Sequence, residues 1–283
     1  MKIRSLKSIT LTCYLLSGVI ALIVFAPWLN NYFVSDDWVI ISRNRQVPWQ
    51  EIPSWFLNMR FGWYRPLFEL FVTECWRLFA LNPFGYRLLA VFLYTLVAGN
   101  VGVVTYLLTQ ERGTALLATG MFCVFAPHAE PVLWFAATNE LLSAVFASTC
   151  LASYIVFRKT NDVRWLGVAV LACCMSIMSK ETALFAPFLL LVYDVFIWRD
   201  TKRTSLLKFF LPSTSIVLFT LLFFLLRSTH SPYSIVLTIP RIFMNFVFYV
   251  LIGVLALPSH YAYLSSLPLW KHSPVIPAIT IIC

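Results

Sequence analysis

Ile9-Thr10-Leu11-Thr12-Cys13-Tyr14-Leu15-Leu16-Ser17-Gly18-Val19-Ile20-Ala21-Leu22-Ile23-Val24-Phe25-Ala26-Pro27-Trp28 is an uncharged, apolar run. Its length matches the roughly 20 residues that a helix needs to cross the hydrocarbon core of a bilayer. Lys2, Arg4 and Lys7 precede it and place the amino terminus on the cytoplasmic side by the positive-inside rule. No small-residue cleavage pattern precedes Trp28, so the run reads as an anchor rather than a cleaved signal peptide. A few residues later comes Ser35-Asp36-Asp37-Trp38. Paired carboxylates at the mouth of an apolar body cost solvation energy, and a cation, a metal or catalysis has to offset that cost.

Composition extends this reading to the whole chain. Of 283 residues, 60% are hydrophobic and 12% charged, with 25 Phe and 10 Trp. A soluble core of this size has no room for so much apolar surface, whereas a bilayer solvates it. The expected fold is all-α: a polytopic membrane protein of about eight or nine transmembrane helices. Further spans are expected near Tyr86–Leu108, Ala115–Pro127, Leu141–Phe157, Trp165–Met178, Thr182–Trp198, Phe209–Leu226 and Ile239–Leu257, with a ninth from Val275. Residues 1–283 read as one transmembrane domain with no soluble domain. The ending Ile281-Ile282-Cys283, inside a new apolar run, is what a truncated chain would show.

The formal charge of +9 raises nucleic acid as a partner, but the basic residues are dispersed among loops and form no basic face, so none is expected. They follow topology instead. Arg112, then Arg158, Lys159 and Arg164, then Arg199, Lys202, Arg203 and Lys208 fall on the cytoplasmic side of the alternation. Asp36, Asp37, Glu51, Glu69, Glu74, Glu130, Glu140 and Glu181 fall at or near the opposite face. Acids contribute little to orientation, so their clustering indicates a functional outer face. Asp194, near the inner boundary, is expected to pair with Arg199 or to face headgroups. The seven cysteines form neither a disulfide framework nor a CxxC pattern and read as small apolar side chains.

The first outer loop, about 29–85, is expected to be structured. Pro66 to Leu81 reads as a helix that starts on a proline, with Leu67, Leu70, Phe71 and Leu78 on one face and Glu69, Thr73 and Arg77 on another. It would lie along the interface or be buried as a short helix. Two spans, Ala115–Pro127 and Trp165–Met178, are too short for a full crossing and end in charge: His128 and Glu130 after one, Lys180 and Glu181 after the other. Short spans ending in ionisable groups point to a polar cavity below the outer surface.

These motifs carry a resemblance. Phe33-Val34-Ser35-Asp36-Asp37-Trp38, Tyr64-Arg65-Pro66-Leu67, Leu81-Asn82-Pro83-Phe84-Gly85-Tyr86, Pro127-His128-Ala129-Glu130-Pro131-Val132-Leu133-Trp134 and Ser179-Lys180-Glu181-Thr182 occur in that order. In that order they resemble multi-span glycosyltransferases of the GT-C fold, of the protein O-mannosyltransferase type that includes transmembrane proteins with TPR repeats. No TPR repeat follows here, and beyond Pro187 only general hydrophobic character is shared.

The resemblance implies transfer of a sugar from a polyprenyl-phosphate carrier to a protein or glycan acceptor at the outer face. The residue types suit that chemistry. A carboxylate, Asp36 or Asp37, would take the acceptor proton in an inverting displacement, with Asp36 favoured. Arg65 and Lys180 would hold the departing lipid phosphate, the first by two hydrogen bonds and the second as a point charge. His128, Glu130 and Glu181 would support the polar site. No metal is obligatory; Mg²⁺ or Mn²⁺ on Asp36, Asp37 and Glu130 is the open alternative.

Bland readings stand beside these. Asp36 and Asp37 would cap a helix, Arg65 would neutralise Glu69 one turn on, and Lys180 with Glu181 would anchor a helix end. Arg227, His230 and Arg241 flank a further outer loop without a motif. A membrane transporter and a non-catalytic scaffold are the alternative functions, although no paired half-helices rich in Gly and Pro are visible. Membrane lipid is an expected partner. The bacterial cytoplasmic membrane is the expected location, with the endoplasmic reticulum as the alternative.

Overall fold

A computed structural model describes residues 3–58, 60–201 and 206–228. The expected spans at Ile239–Leu257 and beyond Val275 lie outside these residues. The chain is an all-α membrane protein; among the described residues the sole pairing outside helices is an isolated antiparallel bridge between Arg60 and Trp63. Among the described residues, three helical stretches are long and apolar enough to cross a membrane: Leu6–Trp28, Pro83–Thr109 and Phe135–Thr160.

The first of these is α1 (Ile3–Phe25), continued by a 3-10 turn at Ala26–Trp28. The segment after it is structured, as expected. It holds α2 (Asp36–Asn44), α3 (Ile52–Trp55), a tight turn at Arg60–Trp63 and α4 (Pro66–Phe79). Pro66 takes the first helical position of α4, where its missing N–H costs nothing. The second long helix, α5 (Pro83–Thr109), starts the same way, with the Asn82 side chain accepting from Phe84 N at 3.1 Å.

The short spans are short in the structure too. Helix α6 covers Arg112–Val124 and α9 covers Val163–Ser179. After α6 the chain passes through extended Phe125 into a 3-10 turn at Ala126–Ala129, with Pro127 in its first turn, where a missing N–H costs nothing but would have broken the ladder of a continuing α6. Then come α7 (Glu130–Leu133), a 3-10 turn at Phe135–Ala137, and α8 (Thr138–Thr160). The run expected from Thr182 is divided: a 3-10 turn over Glu181–Phe185, then α10 (Ala186–Thr201), with Pro187 in its first turn. Helix α11 (Leu206–Ser228) completes the described part.

The described residues fall into two compact units, a large one and a small one whose described part is Phe125–Glu130. In the large unit α5 is central, packed on α1, α6 and α8, while α8 packs along α9. Small residues permit this. A β-carbon on Gly99 would run into the Tyr14 ring of α1, and one on Gly102 would run into Thr119 of α6 and Cys13 of α1. In lipid, close backbone approach replaces the hydrophobic effect as the source of helix association. Side-chain polar groups add to it. Asn100 on α5 accepts from Tyr14 Oη at 2.5 Å and donates to Ser148 Oγ at 2.9 Å and Thr149 Oγ1 at 3.1 Å on α8. Ser176 on α9 donates to the Ser143 carbonyl on α8 at 2.8 Å.

Two expectations are corrected. The face of α4 that is fully buried carries Phe68, Val72, Thr73 and Cys75, while Leu78 is exposed. The apolar residues of this helix spread over about half its circumference, opposite Glu69, Glu74 and Arg77, and that stripe is too broad for periodicity alone to say which part of it meets protein. Cys75 lies on this buried face, and burial pushes its pKa up to about 12. Asp194 on α10 does not face headgroups, and its other expected partner, the Arg199 side chain, lies outside what the structure describes. Asp194 is fully buried and accepts from Tyr154 Oη at 2.6 Å and Ser213 Oγ at 2.7 Å, with Arg158 Nε 3.2 Å away.

Candidate functional site

Asp36 and Asp37 occupy the first turn of α2, where the positive end of the helix dipole favours carboxylates. The capping alternative is thus right about the helix, though Ser35 holds the cap position itself. Ser35 has φ of 46°, a region that costs a non-glycine residue energy and that persists only where the surroundings enforce it. Neighbouring helix positions point about 100° apart, and the two acids diverge accordingly. Asp36 is exposed and accepts from Ser35 Oγ at 3.4 Å. Asp37 has no exposed surface.

The Asp37 carboxylate is held on all sides. Oδ2 accepts from Val34 N at 3.2 Å, Oδ1 accepts from Ala136 N at 2.7 Å, and Arg87 Nη2 lies 3.6 Å away. Burial pushes the Asp37 pKa up, opposed by the N–H groups of Val34 and Ala136 and by the Arg87 charge. Arg87 sits in the second turn of α5, is 2% exposed, and also donates to the carbonyls of Asn31 at 3.4 Å and Tyr32 at 3.2 Å. Its Nη1 finds no hydrogen-bond partner among the described residues. Sequence reasoning missed Arg87. The available signal was a lone cation just inside an apolar span, which requires a partner.

Arg65 and Lys180 are brought into one neighbourhood. Arg65, the residue before α4, grips Glu181 with both arms of its fork: Nε to Oε2 at 2.8 Å and Nη2 to Oε1 at 2.5 Å. Its guanidinium also covers the Trp63 ring at 4.6 Å. Lys180 is the extended link between α9 and the following 3-10 turn, and its amine contacts Glu140 in the first turn of α8. Thr182 Oγ1 lies 3.5 Å from the other Glu140 oxygen. Burial raises the Glu181 pKa, but hydrogen bonds and charge from Arg65 outweigh it, and the carboxyl is held below its ordinary value. So Lys180 and Glu181 do not pair with each other; each reaches across to another element. Glu140 is the partner the sequence did not single out.

Glu69 is likewise not the partner of Arg65. It accepts from Asn44 Nδ2 at 2.6 Å and lies 3.8 Å from Arg60, whose Nη1 donates to Asn44 Oδ1 at 3.0 Å. Thr73 Oγ1 points to the same Asn44 oxygen at 3.4 Å. Burial raises the Glu69 pKa, opposed by the Asn44 bond and the Arg60 charge. This hub joins α2 to α4 and thereby fixes the helix that carries both aspartates.

His128 and Glu130 lie in the smaller unit and are described by themselves. His128 is in the 3-10 turn, its N–H bonded to the Phe125 carbonyl at 3.1 Å and its ring edge-on to Phe125 at 5.0 Å. Glu130 opens α7. The Mg²⁺ or Mn²⁺ alternative does not fit the donor set. Both Asp37 oxygens are committed to N–H groups and face a guanidinium, and among the described residues no three carboxylate, imidazole or thiol groups converge.

Comparison with known proteins bears out the resemblance. The chain is 26% identical over 213 residues to Protein O-mannosyl-transferase TMTC2 of Homo sapiens, with 68% of this chain and 25% of that protein covered. It is 26% identical over 209 residues to Protein O-mannosyl-transferase TMTC3 of Homo sapiens, with 68% of this chain and 22% of that protein covered. It is 28% identical over 193 residues to Protein O-mannosyl-transferase Tmtc1 of Drosophila melanogaster, with 63% and 22% covered. The chain therefore spans about a quarter of the length of these relatives. No family model and no solved structure matches it.

Proposed function

We propose that this chain is a membrane glycosyltransferase that moves a sugar, mannose by analogy with its relatives' names, from a polyprenyl-phosphate carrier to a hydroxyl of a protein or glycan acceptor at the outer face. The observation that carries this reading is the joining of Arg65 and Lys180 through the adjacent pair Lys180-Glu181. Two cations held within one short link suit a lipid phosphate leaving group, whose developing charge needs fixed positive partners. Ala136, which Asp37 holds, stands one helical turn before Glu140, which holds Lys180, so the aspartate segment is tied to the same part of the fold.

In this reading Asp36, exposed at the start of α2, takes the acceptor proton. Asp37 cannot serve equally, because its oxygens already accept from backbone N–H groups; it holds the segment in place. Displacement in one step inverts the anomeric carbon: the acceptor oxygen bonds to it as the phosphate oxygen leaves, and Asp36 receives the proton. His128 and Glu130 remain supporting candidates. The membrane is the bacterial cytoplasmic membrane or the endoplasmic reticulum.

The test is transfer by the purified full chain in detergent from polyprenyl-phosphate mannose to acceptor peptides, read as labelled product. Asp36→Asn is expected to lower the rate by about 10²–10⁴-fold with donor binding retained, the usual effect of losing a general base. Normal transfer by a folded Asp36→Asn variant removes Asp36 from the role. Solute uptake into vesicles with no transfer would favour the transporter reading instead.

A further inference from the structure

The two cations assigned to the donor phosphate are not waiting empty. Arg65 meets Glu181 in a two-point grip, and Lys180 meets Glu140. In both pairs the cation is the inner member. The side chains of Arg65 and Lys180 are 16% and 17% exposed, those of Glu181 and Glu140 36% and 45%. A partly buried cation without a counter-ion is costly, so an empty phosphate site needs something anionic in place. A carboxylate offers a guanidinium the same two oxygens that a phosphate does.

We propose that Glu181 and Glu140 are internal stand-ins for the donor phosphate, holding Arg65 and Lys180 in the substrate-free chain and exchanging out to solvent when a prenyl phosphate binds. This rests on the phosphate reading of Arg65 and Lys180 and adds to it a self-competing acidic pair. Exchange leaves both cations paired throughout and needs no rearrangement of the helices, since the outward members are the ones that move. The two exchanges are linked. Lys180 and Glu181 are consecutive, and Lys180 is extended backbone, φ −159° and ψ 142°, between α9 and the 3-10 turn. A shift of this link to release Glu181 from Arg65 also moves the Lys180 amine away from Glu140. The stand-ins also select: a neutral lipid has nothing to offer either cation, so it cannot displace a carboxylate.

The test is equilibrium binding of farnesyl phosphate to the purified full chain in detergent. Arg65→Ala and Lys180→Ala should weaken binding. Glu140→Gln and Glu181→Gln should each tighten it by about two- to tenfold, the range expected from removing a partly screened competing ion pair. Glu74→Gln removes a carboxylate that pairs with Arg77 elsewhere on α4, and it should change nothing. Added to Arg65→Ala, Glu181→Gln should give no further gain.

If both alanine variants bind as the wild type does, the phosphate site itself falls and the stand-ins fall with it. If the alanine variants lose binding but both glutamine variants bind equally or more weakly, the exchange alone is overturned and the phosphate site stands. Equal tightening by Glu74→Gln would assign the effect to general charge and also overturn the exchange. Glu140 is the more exposed carboxylate, so its variant keeps the test open should Glu181→Gln fail to fold.

Discussion

Asp37 and Asp194 are two aspartates with no exposed surface, each facing an arginine from another helix, yet they stabilise different things. Asp37 is bound by backbone N–H groups of Val34 and Ala136, so it ties two irregular segments together and to α5 through Arg87. Asp194 is bound by the hydroxyls of Tyr154 and Ser213, so it ties α10 to α8 and α11. Arg158 Nε lies within ion-pair distance of Asp194 Oδ1, but that oxygen accepts no hydrogen bond among the described residues. Its contact is one of charge, and Arg158 spends its Nη1 on the Phe209 carbonyl at 3.1 Å and its plane on the Phe209 ring at 3.9 Å. The first aspartate fixes loop geometry beside the candidate site; the second fixes helix positions in the body. Helices have their own hydrogen bonds, whereas the chain around Val34 and Ala136 needs an external acceptor.

Removing Arg87 should be the most damaging change, since Asp37 then keeps a buried charge without its cation. Arg87→Ala is expected to cost about 3–5 kcal/mol of stability, the usual effect of breaking a buried pair from one side. Unfolding by denaturant in detergent measures it, and a loss under about 1 kcal/mol would show that the backbone N–H groups alone carry Asp37. At the other aspartate, Asp194→Ala should cost about 2–4 kcal/mol, because Tyr154 and Ser213 lose a charged acceptor while Arg158 retains the Phe209 carbonyl. Should Asp194→Ala prove the costlier of the two, the comparison is inverted. Ser213→Ala, which removes one of the two hydroxyls, should cost about 1–2 kcal/mol in the same assay.

The smallest effect concerns pH. The pKa of Glu181 is held below its unfolded value, so its pairing with Arg65 contributes stability above about pH 4.3 and loses it as pH falls through the folded pKa. Asp37 has the opposite sign: its raised pKa makes its contribution decline as pH rises through about 3.9 toward the folded value. The stability difference between wild type and Arg65→Ala should therefore be present at neutral pH and vanish on acidification. A difference that is constant from pH 7 to pH 3 would mean that Arg65 acts through packing on Trp63 instead.

Much of the site's outline was legible in the chain. Pro66 after Arg65 marks the start of α4, Pro127 follows the end of α6, and the short apolar runs before His128 and Lys180 are short helices. The pairings were not legible. Nothing local says that Arg65 meets Glu181 rather than Glu69, or that Lys180 meets Glu140, because these partners are 116 and 40 residues apart. Asn44 and Arg60 give no motif at all; they matter only because α2 and α4 lie side by side.

The sequence by itself determined that the chain is a helical membrane protein, where several of its helices start or stop, and that charge gathers at helix ends. Those properties follow from apolar length, proline and the rarity of charge in lipid, all of which are local. Only the tertiary structure decided which acid is exposed and which is buried, which face of α4 meets protein, and which carboxylate holds each cation. The physical reason is that protein interior and lipid are equally apolar, so hydrophobic pattern cannot choose between them, and charges choose partners by distance in space rather than along the chain.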